Sequence, residues 1–271
     1  MRSTFILLFL CSIWGSTIFG QTEKQLFNRG IDKLKAEDYL GAEEDFAMVL
    51  QLNPRNDVAY FNRGFARLQI DKFWDALMDF SLALDINPAN PEAYYNRGMA
   101  KLGLEMYLEA MIDFNTAIKG QARVERYHHA RAKAKSGLED FRGAIQDLSM
   151  CIKLSRTKNL TYFYDSAEAF NAIRTYGLAI EDLPYIIRKM PDAPAGYNAR
   201  ASVKVQANDM DGACLDWSKA GELGDSQAYE MIRKNCNWAK LKLQEAFVIG
   251  LQPTKSKSLQ GNLPNPMINL E

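Results

Sequence analysis

The chain of 271 residues carries 33 Lys and Arg against 33 Asp and Glu, so its formal net charge is zero, and 47% of it is hydrophobic. This is enough apolar material for one large or two medium domains, while the low glycine and proline counts of 17 and 9 exclude collagen-like and wholly disordered classes. The even charge balance argues against nucleic acid as a partner, and two histidines with four cysteines leave few ligands for a metal.

At the N-terminus, Arg2, the apolar run Phe5 to Leu10 and the small-residue-rich Gly15 to Gly20 follow the order of a secretory signal peptide. A signal over 1–20, cut after Gly20, predicts an exported chain, periplasmic or secreted, with envelope association open. Two alternatives stand beside it. An uncleaved anchor would have to span with a run shorter than the ~20 residues a helix needs, and a lipoprotein site at Cys11 would follow the bulky Leu10.

The rest of the chain repeats. Ala42, Ala76, Ala110 and Ala144 are each 34 residues apart. Three residues before them stand Tyr39, Phe73, Tyr107 and Phe141, and three after stand Asp45, Asp79, Asp113 and Asp147. Upstream, Phe27-Asn28-Arg29-Gly30, Phe61-Asn62-Arg63-Gly64 and Tyr95-Asn96-Arg97-Gly98 are nearly the same four residues. With one residue inserted near Asn159, the series continues through Tyr176, Ala179 and Asp182 and ends with Met210, Ala213 and Asp216. The units predicted are 23–56, 57–90, 91–124, 125–158, 160–193 and 194–227. Apolar positions three, four and seven apart make each unit two helices, Asn53-Pro54 and Asn87-Pro88 close the first two, and no segment alternates as a strand. A helix pair cannot bury its apolar face alone, so the fold expected is all-α, an α-solenoid of stacked pairs.

Arg and Asp recur together as Arg29 with Asp45, Arg63 with Asp79, Arg97 with Asp113, Arg131 with Asp147 and Arg200 with Asp216. A guanidinium fork fits a carboxylate, so these are expected to be structural ion pairs. In the fifth unit Ser166 replaces the arginine and leaves Asp182 without its usual partner.

The repeat resembles the tetratricopeptide repeat (TPR) family over nearly all of the chain after the signal, except the last forty-odd residues. The resemblance implies a right-handed superhelix. Ala132, Ala167 and Ala201 replace the small glycine of the earlier units, and Ala122 and Arg156 stand where the closing proline is missing. The sixth unit, with Gly212-Ala213-Cys214-Leu215-Asp216-Trp217, resembles a Sel1-like terminal repeat of exported bacterial proteins. A capping helix is expected over 228–247, with Trp238 covering the last apolar face, then a flexible tail over 248–271; a short linear binding segment is the alternative for that tail.

By the same resemblance, the inner stripe of each first helix forms a peptide-binding groove. Carried over by position it contains Phe27, Asn28 and Ile31, then Phe61, Asn62 and Phe65, then Tyr95, Asn96 and Met99, and further along His129, Lys133 and Tyr164. Its first half is aromatic and its second polar. Leu34, Leu68 and Leu102 belong equally to a core. The family's clamp for a C-terminal carboxylate is excluded, because Phe27 and Glu92 stand where it needs basic residues.

No phosphate loop, nucleophile elbow or HExxH pair occurs. His128 and His129 diverge by about 100° on a helix and cannot share a metal, Cys151 reads as a buried thiol, and Cys214 with Cys236 form either a disulfide or two quiet thiols. The expectation is a non-enzymatic protein-protein interaction module without cofactor, metal or small-molecule substrate, binding a partner's apolar or aromatic segment in the groove. The alternative is a scaffold or self-associating part of an envelope complex that uses the convex face or the edges.

Overall fold

A computed structural model describes residues 22–155 and 159–236. The signal expected over 1–20, Trp238 and the tail over 248–271 lie outside them. The described residues form thirteen α-helices and no strand. They fall in two compact units, one ending at Lys189 and the other starting at Met190.

The first unit holds five helix pairs: α1 (22–35) with α2 (Tyr39–Leu52), α3 (Asp57–Gln69) with α4 (Phe73–Ile86), α5 (Pro91–Gly103) with α6 (Tyr107–Gly120), α7 (Glu125–Gly137) with α8 (Phe141–Leu154), and α9 (Leu160–Ala172) with α10 (Tyr176–Lys189). The second unit holds α11 (Pro194–Gln206), α12 (Met210–Glu222) and α13 (Ser226–Asn235).

Local chemistry sets these boundaries. Asn56 and Asn90 cap first helices by accepting from the Ala59 and Ala93 amides, and Asp38 and Asp140 cap second helices by accepting from Gly41 and Gly143. Between the helices of each pair the chain turns through one left-handed residue: Glu37, Asp71, Glu105, Glu139, Arg174 and Asn208, all with φ between 57° and 60°. These are spaced by 34 except from 139 to 174, which is 35 and marks the insertion. Second helices end at Asn53 and Asn87, before proline, and at Gln121 and Ser155, where proline is missing. The four cap amides donate in the same way, to Val49, Ala83, Ala117 and Cys151, so the stop does not depend on proline. α10 carries Pro184 in its interior, where it cannot donate the usual helical hydrogen bond.

The crossing of each pair is built on small residues. Ala42, Ala76, Ala110, Ala144 and Ala179 are completely buried. Opposite the crossing, Gly30, Gly64 and Gly98 lie against the buried rings of Phe46, Phe80 and Phe114. In the next two pairs the glycine becomes Ala132 and Ala167, and at the aromatic position stand Leu148 and Leu183. A larger residue on one helix is thus matched by a slimmer one on the other, which keeps core volume.

In the second unit, Trp217, Ala213, Ala228 and Ile232 form one buried cluster. The capping helix differs from the expected 228–247. It starts at Ser226, because Asp225 accepts from the Gln227 amide, and ends at Asn235, where Cys236 leaves the helix in extended backbone; residues 237–247 lie outside the described residues. Cys236 is disulfide-bonded to Cys214 of α12, with Cα atoms 5.9 Å apart. A helix of 10 residues is marginal by itself, so α13 depends on Ile232, Ala228 and this bond.

Two outcomes follow from the packing. Gly98→Ala should destabilise by about 1–3 kcal/mol, although Ala is the better helix former, because its Cβ would stand 2.6 Å from the Phe114 ring. Gly98→Ala/Phe114→Leu should recover part of that loss in chemical denaturation. Cys214→Ser/Cys236→Ser should lower stability of the second unit by about 3 kcal/mol, and reducing agent should reproduce the shift in the wild-type chain but not in the variant.

Candidate functional site

The first helices α1, α3, α5, α7 and α9 present their equivalent positions side by side in the first unit. At the leading position, Phe27, Phe61 and Tyr95 are half-buried. One edge of each ring meets the core ring of its own second helix: Phe27 to Phe46 at 5.5 Å between centroids, Phe61 to Phe80 at 5.7 Å and Tyr95 to Phe114 at 6.0 Å. The rings are therefore both core and surface. Leu34, Phe61, Phe65 and Tyr95, with the Asn62 and Asn96 amides, line a depression of about 420 Å³ whose far wall is Glu92 and Arg126.

Other residues of the stripe are distributed differently. Phe27 lines a second depression, of about 410 Å³, with Asn56 and Val58. Lys133 lines a third, of about 200 Å³, with Ser136, Asp165 and Glu168. His129 Nε2 lies 2.6 Å from Asp165, which ties it to that third depression. Ile31 and Met99 pack against core clusters, and Asn28 is exposed. The Tyr164 hydroxyl is buried with no hydrogen bond among the described residues, and burial raises its pKa. Asn62 and Asn96 belong to the stripe expected to form the peptide-binding groove. Each already donates one side-chain N–H to the carbonyl four residues back, Val58 and Glu92, and Asn96 is buried, so the pair has less to offer a peptide than two free amides.

No family model and no curated protein matches the sequence. Solved structures do resemble the fold. The C-terminal part of a TPR repeat-containing protein from Cytophaga hutchinsonii matches with a TM-score of 0.68 at 17% identity, over 84% of this chain and 96% of that one. A tetratricopeptide repeat protein from Parabacteroides merdae gives 0.61 at 19% identity, over 83% and 99%. YrrB, described as a TPR protein with an unusual peptide-binding site, gives 0.59 at 16% identity, over 70% and 97%. The chain has the TPR fold.

A ladder of buried carboxylates holds the first four helix pairs of the first unit closed. Arg29 grips Asp45 with two hydrogen bonds of 2.8 and 2.6 Å, and Arg63–Asp79, Arg97–Asp113 and Arg131–Asp147 repeat the geometry within 2.5–3.0 Å. In the second unit, Arg200–Asp216 does the same at 2.9 and 2.6 Å. The guanidinium hydrogen bonds hold the Asp45 carboxyl below its ordinary pKa. At Asp147, burial pushes upward but is outweighed by the hydrogen bonds from Arg131 and Lys135, so its pKa is also lowered.

Sequence reasoning missed half of this ladder. Each aspartate has a second cation four residues after the arginine, or its equivalent: Lys33 at 3.0 Å, and Arg67, Lys101, Lys135 and Lys204 at 2.8 Å. The signal was the same 34-residue period, running 33, 67, 101, 135. Arg67 also binds Glu43 of the preceding pair, which Lys72 shares. A second missed cluster ties Glu92 to Arg126 and to the Tyr127 hydroxyl, the latter at 2.5 Å. In the fifth pair both cations are gone. Ser166 Oγ donates to Asp182 at 2.8 Å, and Phe170 stands at the lysine position. Burial raises the Asp182 pKa, the Ser166 hydrogen bond opposes this, and neighbouring Glu181 adds to it.

One substitution should therefore have opposite signs at two equivalent positions. Asp113→Asn leaves Arg97 and Lys101 facing each other and should cost about 3–5 kcal/mol. Asp182→Asn keeps a partner for Ser166 and removes a half-buried charge, so it should stabilise by about 1 kcal/mol at pH 7. A group whose pKa is raised by folding stabilises when protonated, so the gain from Asp182→Asn should fade as pH falls through that raised value. Thermal denaturation of the two variants from pH 4 to pH 8 checks both.

Proposed function

We propose that the first unit binds a short segment of a partner protein along α1, α3, α5, α7 and α9, seating an apolar or aromatic side chain on Phe61, Phe65 and Tyr95. The observation that carries this reading is the depression that these three rings and Leu34 line beside Asn62 and Asn96. Aromatics held by a core on one side anchor a ligand at small entropic cost. YrrB, of the same fold, has a peptide-binding site by its description, which supports a peptide as the class of ligand.

The reading is non-catalytic. Burial pushes the Cys151 thiol up to about 12, far from a nucleophilic thiolate. Export is the compartment we favour, on the signal-like order of 1–20 and on the Cys214–Cys236 bond, which persists outside the reducing cytosol. A scaffold role through the convex face is the second reading, favoured by the exposed Leu40, Trp74 and Leu108.

Peptides selected by display on the full chain should be rich in Phe, Trp and Leu, and their binding should change little as salt rises, since burial of apolar surface is not screened. Phe61→Ala/Tyr95→Ala should weaken them by about tenfold or more while circular dichroism is unchanged. Selection of acidic or basic peptides, or equal binding by a folded variant, would remove the groove reading.

A further inference from the structure

The outer face of the first three second helices is apolar in register. Leu40 on α2, Trp74 on α4 and Leu108 on α6 occupy one equivalent position and are 59%, 63% and 55% exposed. One turn on, Met78 and Ile112 are 59% and 56% exposed. On α8 the same two positions are Arg142 and Gln146, so the apolar face stops after the third repeat. Single exposed hydrophobics are ordinary, but a face that repeats them over three consecutive second helices marks a contact surface.

The charge on this face is one-sided. α2 and α4 contain no Lys or Arg, and α6 has only Lys119. Their inward carboxylates, Asp45, Asp79 and Asp113, are used by the ladder, and Glu43 by Arg67 and Lys72. Those left at the surface are Glu44, Asp75, Asp85 and Glu109. Two such faces would set like charges against each other, and an anionic bilayer would be repelled, so the complementary partner is apolar and cationic.

The chain contains a stretch of that chemistry. From 238 to 257 it has four lysines, Lys240, Lys242, Lys255 and Lys257, and a single acid, Glu245. The same stretch holds Trp238, Leu241, Leu243 and Phe247. We propose that the outer face of α2, α4 and α6 receives residues 238–257 of a second copy of this chain. Face and segment complement each other and neither complements itself, so the contact is head-to-tail and can extend from copy to copy.

The test uses a labelled synthetic peptide of residues 238–257 titrated with the full chain, beside sedimentation velocity of the full chain alone. The peptide should bind, and Trp74→Glu/Ile112→Glu, which alters only exposed positions, should weaken it by about tenfold or more. Glu44→Lys/Asp75→Lys/Glu109→Lys should also lose it and should instead bind a peptide whose four lysines are replaced by glutamate. Phe61→Ala/Tyr95→Ala should bind it unchanged, which separates this surface from the groove. The full chain should associate as concentration rises, and Trp74→Glu/Ile112→Glu should stay monomeric. The proposal is overturned if either face variant, folded by circular dichroism, binds the peptide as well as wild type, or if the chain is monomeric throughout. Binding of the face to neutral phosphatidylcholine vesicles in place of the peptide would overturn it equally.

Discussion

How closely the two helices of a repeat approach each other governs most of what this chain displays. In the first three pairs a glycine lies against a phenylalanine ring, so near that an added methyl group would stand 2.9, 3.1 and 2.6 Å from it. Each glycine is preceded by the arginine of the ladder, and each phenylalanine by the aspartate: Arg29-Gly30 against Asp45-Phe46, and so on at intervals of 34. Closing the crossing therefore places guanidinium and carboxylate within 2.6–3.0 Å. The ring three residues before the glycine, Phe27, Phe61 or Tyr95, lies on the same side of its helix and is carried onto the same phenylalanine. Core, ion pair and groove floor are three consequences of one contact.

Residues that recur in register were legible because the period repeated them. The crossing alanines, the Arg–Asp pairs and the insertion were all readable as positions. The second cation was not read, although Lys33, Lys101 and Lys135 keep the same spacing. Lysine is common on exposed helix faces, and Arg67 interrupts the identity without interrupting the charge. The Glu92, Arg126 and Tyr127 cluster occurs once, so no period announces it, and it became visible only when α5 and α7 were side by side. For α13 the described backbone leaves the helix at Cys236, inside the stretch expected to be helical, where the disulfide to Cys214 is formed.

The groove stripe was only half separable from the core in sequence, and the structure shows why. A residue such as Phe61 packs one edge against Phe80 and leaves the other open, so helical spacing alone cannot assign it to either role. Where the stripe turns polar the ambiguity disappears. Ser136 stands where Leu34, Leu68 and Leu102 stood, and Lys133 where Met99 stood, and both line the third depression.

The repeats that depart from the pattern do so on several sides at once. The fifth pair has Ser166 and Phe170 for two cations, Pro184 within its second helix, and an extra residue before its first. From the fourth pair onward the inner stripe becomes polar, and on α8 the outer face does too. The apolar character of both faces thus belongs to the first three pairs, whose crossings are the glycine–phenylalanine ones. Two surfaces on opposite helices of the same pairs affect each other only if occupying one changes the geometry the other uses. A crossing packed without room for a methyl group, and locked by a carboxylate between two cations, has little freedom to change. The groove and the outer face should therefore bind as independent sites.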